Sequence, residues 1–208
     1  MNEALVNGPN SFAPSYDIGG AVEWEIGDWT ITGVGMNVGE NEDGENYNFF
    51  GGQIEYAVDT SLGEGHYRVI IEATSKDFLN SAGEKEDRSA LFLSFDQELG
   101  DIFGVWIRFG WQDDKAVIDY DALYSGGVNV TGNWYGRGED NIGIGYAYLD
   151  GDRESDIDDT HVAEIYWRFV LNDFFAATAD FQYMKDKYKT GVDDIDGYIL
   201  GVRGAVEF

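Results

Sequence analysis

The chain has 208 residues, with 40 acidic and 13 basic side chains, a formal net charge of −27, 28 Gly, 2 Pro, no Cys, 6 Trp, 13 Tyr and 13 Phe. Charge of that sign repels phosphate backbones and excludes nucleic acid as a partner. The missing cysteines exclude disulfides, thiolate metal sites and a cysteine nucleophile. Acidic disordered chains are poor in aromatics, which this one is not. No apolar run is long enough for a membrane helix, so a soluble β-sandwich and an outer-membrane β-barrel are left.

Residues 1–16 hold both prolines and alternate poorly, so they read as a loop or a weak extra strand. From there to residue 208, alternation predicts eleven strands: 17–26, 29–39, 47–58, 66–76, 88–97, 102–112, 122–134, 141–149, 161–171, 174–185 and 197–208. Strands of this length match the roughly 9–11 residues needed to cross a bilayer rather than the 5–6 usual in soluble sheets. The predicted connections alternate between short turns, such as Gly27-Asp28 and Asn172-Asp173, and long loops at 40–46, 77–87, 113–121, 150–160 and 186–196. More than half of the acidic residues fall in these long loops. An outer-membrane barrel has this asymmetry, with short periplasmic turns and longer extracellular loops. The loop from Asp150 to Asp159 carries acids at alternate positions, as a calcium loop does. It lacks the sixth-position Gly and twelfth-position Glu of an EF-hand, and reads as a solvated loop open to loose cation association at a lipopolysaccharide surface.

Residues i and i+2 of a strand share a face. Phe103, Val105, Ile107, Phe109 and Trp111 oppose Gly104, Trp106, Arg108 and Gly110; Ala163, Ile165, Trp167 and Phe169 oppose Glu164, Tyr166 and Arg168. The apolar faces end in aromatics, as interfacial girdles do. Strand 29–39 is ambiguous, because Thr30, Thr32, Val34, Met36 and Val38 compete with Trp29, Ile31, Gly33 and Gly35. The polar faces place Arg68, Glu72, Trp106, Arg108, Glu164, Tyr166, Arg168, Asp180, Gln182 and Arg203 as candidate pore-lining residues. Their charges can form ion pairs across strands or set a field along which a solute passes, and Trp106 and Tyr166 can stack on a sugar ring. Apolar residues at every second position up to Val206 and the terminal Phe208 match the strand that the barrel-assembly machinery reads as a signal. Physically, such a strand can add to another sheet edge.

The segments Tyr124-Ser-Gly126-Gly127, Gly136-Arg137-Gly-Glu-Asp140-Asn-Ile-Gly143-Ile-Gly145, Glu164-Ile-Tyr166, Asp180-Phe-Gln182-Tyr183 and Gly201-Val-Arg203 occur in this order up to Phe208. In that order and spacing the chain resembles the C-terminal half of the carbohydrate-selective porins of the OprB family. It departs from them at Ala179, where the family usually has proline, and residues 1–87 fit less sharply. Arg137 and Asp140 are placed to pair across a periplasmic turn. The resemblance implies an all-β, transmembrane, antiparallel up-and-down barrel, sixteen-stranded in the family. It also implies a Gram-negative outer membrane, passive diffusion of small sugars or other hydrophilic solutes, and outer-membrane lipid and lipopolysaccharide as surroundings. Eleven strands is an odd count, so either residues 1–16 supply a twelfth or the chain is part of a larger barrel.

Three other readings compete. A structural barrel sleeving a partner or plug would use the glycine-rich polar faces. An outer-membrane enzyme would use His161 with Asp158 or Asp159 as a general base, but no partner serine in a strained elbow is visible. A soluble acidic sandwich would need no lipid. No cofactor and no metal site is predicted.

Overall fold

The computed structural model describes residues 5, 14 and 17–206. Eleven strands form one antiparallel sheet in chain order: β1 (Ile18–Ile26), β2 (Trp29–Val38), β3 (Tyr47–Thr60), β4 (Gly63–Thr74), β7 (Ser89–Leu99), β8 (Phe103–Gln112), β9 (Tyr120–Thr131), β10 (Asn141–Gly151), β11 (Ile157–Asn172), β12 (Phe175–Tyr188) and β13 (Ile195–Val206). Two short strands, β5 (Phe78–Leu79) and β6 (Lys85–Glu86), pair as a separate hairpin between β4 and β7. Each strand of the large sheet pairs with the next large-sheet strand along the chain, β4 with β7 across the inserted hairpin, and β1 and β13 are the sheet's two edges among the described residues.

All eleven predicted barrel strands are present. Their boundaries shift by up to four residues: the strand expected over 161–171 starts at Ile157, that over 66–76 is Gly63–Thr74, and that over 122–134 ends at Thr131, where Gly132–Tyr135 form a 3-10 turn. Gly136 follows in the left-handed conformation at φ 78°, which a residue with a Cβ adopts only with strain. The expected alternation of connection lengths is also corrected. The turn over 132–140 is longer than the opposite-edge loops over 152–156 and 189–194, because β10, β11 and β12 run further into the predicted loops than alternation alone suggested. The terminal Phe208 lies outside the described residues, whereas Val206 ends β13, opposite Phe175.

Register shows how the strands tilt. The hydrogen-bonded row that starts at Trp29, beside a short turn, passes Tyr56, Tyr67, Phe95, Ile107, Gly126, Tyr146 and Ala163 to reach Tyr183 and Tyr198, near the opposite edge. A row perpendicular to the strands climbs from one edge to the other only if the strands are inclined, as barrel closure demands. Large apolar side chains on this face stay uncovered. Ile107 is 46%, Ile144 52% and Ile165 45% exposed. A continuous uncovered band flanked by aromatics suits lipid, not water.

The register resolves the ambiguous β2. Trp29 and Ile31 lie opposite Tyr56 and Ile54 on the apolar face, which puts Thr30, Thr32, Val34, Met36 and Val38 on the polar face. The apolar members of that set do not meet water. Val38 is buried with Tyr47, Phe49, Phe78 and Ala116, and Val34 and Met36 pack against the cluster. Phe78 comes from the β5–β6 hairpin and Ala116 from the loop after β8. Two long connections therefore fold inward over the polar face, and the misleading hydrophobic pattern of β2 is their docking site.

Candidate functional site

The ten candidate residues share the polar face, but the structure divides them into separate groups. Arg68 anchors one group. Its Nε donates to Glu55 at 2.6 Å and its Nη1 to Asp96 at 2.5 Å, while His66 Nδ1 meets the other Glu55 oxygen at 2.7 Å. These contacts bridge β3, β4 and β7. Glu72 lies two steps along the same strand, opposite Gly51 and Ala90.

Trp106, Arg108, Glu164 and Tyr166 form the central group, and glycines seat its two rings. A Cβ on Gly127 would lie 2.7 Å from the Trp106 indole, and one on Gly145 3.3 Å from it. A Cβ on Gly143 would lie 2.2 Å from the Tyr166 ring. Gly143 and Gly145 of β10 and Gly127 of β9 are therefore floors for side chains reaching across from β8 and β11. Arg108 stacks over Trp106 at 5.3 Å and bonds Ser94 at 3.4 Å. Tyr166 bonds Asn129 and Asn141 at 3.1 and 2.9 Å. Glu164 is only 4% exposed. Trp106, Glu164, Tyr166 and Asn129 line one shallow pocket with Leu5.

Sequence reasoning gave no role to Leu5. It is 2% exposed and packs on Leu123, Ala147, Leu149 and Val162, all polar-face positions of β9, β10 and β11. Its carbonyl accepts a 3.0 Å bond from Arg108 Nη1. The signal was present as four apolar residues at positions where alternation calls for polar ones. What covers them is Leu5, more distant in sequence from all four than from Arg108, to which its bond already spans 103 residues.

The remaining candidates lie toward the short-turn edge. Arg168 and Arg203 flank Thr178 in one register row. Asp180 sits over Gly201, and Gln182 donates to it at 3.0 Å. The Arg137–Asp140 pair forms as expected, with contacts at 2.6 and 3.2 Å. His161 lies on the apolar face, its Nε2 2.7 Å from Asp159 and 3.2 Å from Lys187, its Nδ1 2.5 Å from the Tyr146 hydroxyl. Both ring nitrogens are thus occupied within the aromatic girdle.

Comparison with known proteins decides the family. The family model described as carbohydrate-selective porin, OprB family, matches residues 2–208. The chain belongs to the OprB family. An uncharacterized protein of Aquifex aeolicus is 26% identical over 208 residues, all of this chain and 56% of that one. The OprB structure of Pseudomonas putida, determined at high pH, superposes with a TM-score of 0.68 at 13% identity, over 89% of this chain and 57% of that one. OccK11 (OpdR) of Pseudomonas aeruginosa gives 0.64 at 10% identity, over 90% and 57%. The chain thus spans slightly more than half the length of these proteins. Set against an OprB barrel, its sheet corresponds to a segment of the wall, with β1 and β13 as its edges among the described residues.

Proposed function

We propose that this chain forms most of the wall of an outer-membrane pore through which small hydrophilic solutes, sugars foremost, diffuse passively. The observation that carries this reading is the two-faced sheet. One face is an uncovered apolar band with aromatic girdles. The other presents Trp106 and Tyr166 on glycine floors beside Arg108 and Glu164. An indole face offers a sugar ring an apolar platform, and guanidinium and amide groups around it bond the hydroxyls. The polar face lines the lumen, and the ten candidate residues are its lining. Leu5 narrows it from the β9–β11 side, supported by the bond from Arg108.

In this reading the short turns are periplasmic, the long loops meet lipopolysaccharide, and β13, with Phe208 two residues beyond it, is read by the barrel-assembly machinery. The sleeve alternative is less well supported, since the apolar patch on the polar face is already filled by the chain's own Leu5.

The test is conductance of the full-length protein in planar bilayers, with sugars added to one side. Stepwise conductance with concentration-dependent sugar block, weakened in Trp106→Ala, supports the reading. A folded, inserted barrel that carries no current overturns it. Current without any sugar block narrows the function to a general diffusion pore.

A further inference from the structure

The chain sets 13 lysines and arginines against 40 acids. With carboxylates in such excess, a guanidinium that finds none calls for a reason. Nine of the cations pair with a carboxylate, and Arg108 and Lys189 donate to backbone carbonyls. The two that remain are Arg168 and Arg203. Both are exposed, and among the described residues neither makes a hydrogen bond or an ion pair.

The two lie in one row of the sheet. Arg168 on β11 and Arg203 on β13 stand opposite the same residue, Thr178 of β12. Their Cα atoms are therefore two strand spacings apart, roughly 10 Å. Two guanidinium forks at that spacing on one face can close on a single anion above the threonine hydroxyl, each with paired N–H donors. An acid stands within one residue pair and is not used. Asp180 lies across Gly201 and accepts from Gln182 at 3.0 Å. On the turn side a cleft of about 200 Å³, with Arg168, Val170, Ala176 and Ala205 in its lining, leaves the row open.

We propose that Arg168 and Arg203 form a seat for the carboxylate of an acidic sugar, so that the pore favours sugar acids over neutral sugars of the same size. The inference rests on the porin reading and names the solute class. Trp106, Gly127, Gly145 and Glu164 share one row, and Arg168 follows Glu164 by four residues toward the short turns. That is roughly 13 Å along the strand. A sugar leaving the Trp106 platform therefore reaches two uncommitted cations, with Asn141, opposite Arg168, and Gln182 near enough to take hydroxyls. A neutral hexose offers the forks hydroxyls alone, and these are weaker acceptors than a carboxylate.

The test is block of the ion current through the full-length protein in planar bilayers by glucuronate and by glucose, which differ only in a carboxylate replacing a hydroxymethyl group. The readout is the ratio of the two blocking concentrations, in which general damage to the channel cancels. Two double variants accompany the wild type: Arg168→Gln with Arg203→Gln, and Arg168→Lys with Arg203→Lys, which keeps the charge and loses the forks. Glucuronate is expected to block the wild type at a several-fold lower concentration than glucose. The ratio should fall to near one in the glutamine pair and to an intermediate value in the lysine pair. Heat-modifiable gel migration confirms that each variant is a folded barrel. A wild-type current blocked by glucose and no better by glucuronate overturns the inference alone. So does a current that neither sugar blocks, or a preference that survives in full in either double variant. An inserted wild-type barrel that carries no current overturns the porin reading and this inference with it.

Discussion

Arg137 and Asp140 stand three residues apart in the turn between β9 and β10, and meet through Nε–Oδ2 and Nη2–Oδ1 contacts of 2.6 and 3.2 Å. The pair reaches beyond its own turn. Asp140 Oδ1 accepts from Val170 N–H at 2.9 Å and Oδ2 from the Tyr135 hydroxyl at 3.2 Å, while Arg137 Nη2 donates to Val170 O at 2.7 Å. Trp167 donates to the same Tyr135 hydroxyl at 3.0 Å. A short sequence signal, Gly-Arg-x-x-Asp, therefore pins a turn to the next strand and to the aromatic girdle.

This arrangement gives a pH dependence of stability. The Arg137 guanidinium, with Val170 N–H and the Tyr135 hydroxyl, holds the Asp140 carboxyl at about 2, below its ordinary 3.8. A group lowered on folding stabilises the folded state above its unfolded value and loses that contribution as pH falls through its folded value. The expected outcome is a melting temperature that drops between about pH 4 and pH 2 in the wild type. Asp140→Asn melts lower at pH 7 and shows a smaller drop in that window. Thermal scans in detergent followed by circular dichroism check it, and equal drops in both proteins would refute the assignment.

The fold was legible because each barrel strand carries its own period-two signal and each long strand is its own evidence for a membrane. Face assignment failed only at β2, where Val34, Met36 and Val38 answer to Phe78 rather than to solvent. Leu5 was unreadable for the same reason, since its partners lie on β9 to β11. The Trp106–Arg108–Glu164–Tyr166 group was legible as a face and not as a constellation. Strand tilt, which decides which rows meet, is not written in any single strand.

The glycine floors separate packing from backbone propensity. Gly143→Ala places a methyl 2.2 Å from the Tyr166 ring and forces the ring off Asn129 and Asn141. Overpacking of this kind costs about 1–3 kcal/mol. At Gly33, on the apolar face, an added Cβ meets nothing within 4 Å, so Gly33→Ala should be close to neutral. Urea unfolding of the two variants in lipid vesicles is the measurement, and equal effects would rule out the seat under Tyr166.

The assignment of faces predicts an asymmetric response to charge. Ile165 sits in the middle of the uncovered apolar band, between Ile144 and Phe181. Ile165→Arg should destabilise the inserted barrel by about 2–4 kcal/mol, the cost of a cation near the bilayer midplane. Gln53→Arg, on the polar face between Thr32 and Ile70, should cost far less. Folding titrations into vesicles discriminate the two. Comparable losses would mean that both faces meet the same medium.

Arg68 links the ion pairs across β3, β4 and β7 to the proposed permeation path. It holds Glu55 and Asp96 together across β4, with His66 on the far side of Glu55. Arg68→Met leaves two carboxylates facing each other without their shared cation, and removes charge-assisted bonds worth about 1–3 kcal/mol. In the proposed lumen the local charge becomes more negative, so the reversal potential under a salt gradient should move toward cation preference. Adding Asp96→Asn to Arg68→Met restores the original charge balance without restoring the ion pair. The double variant should therefore return to wild-type selectivity while staying less stable than the wild type. A selectivity unchanged in the single variant would place Arg68 away from the ion path, whatever its effect on stability.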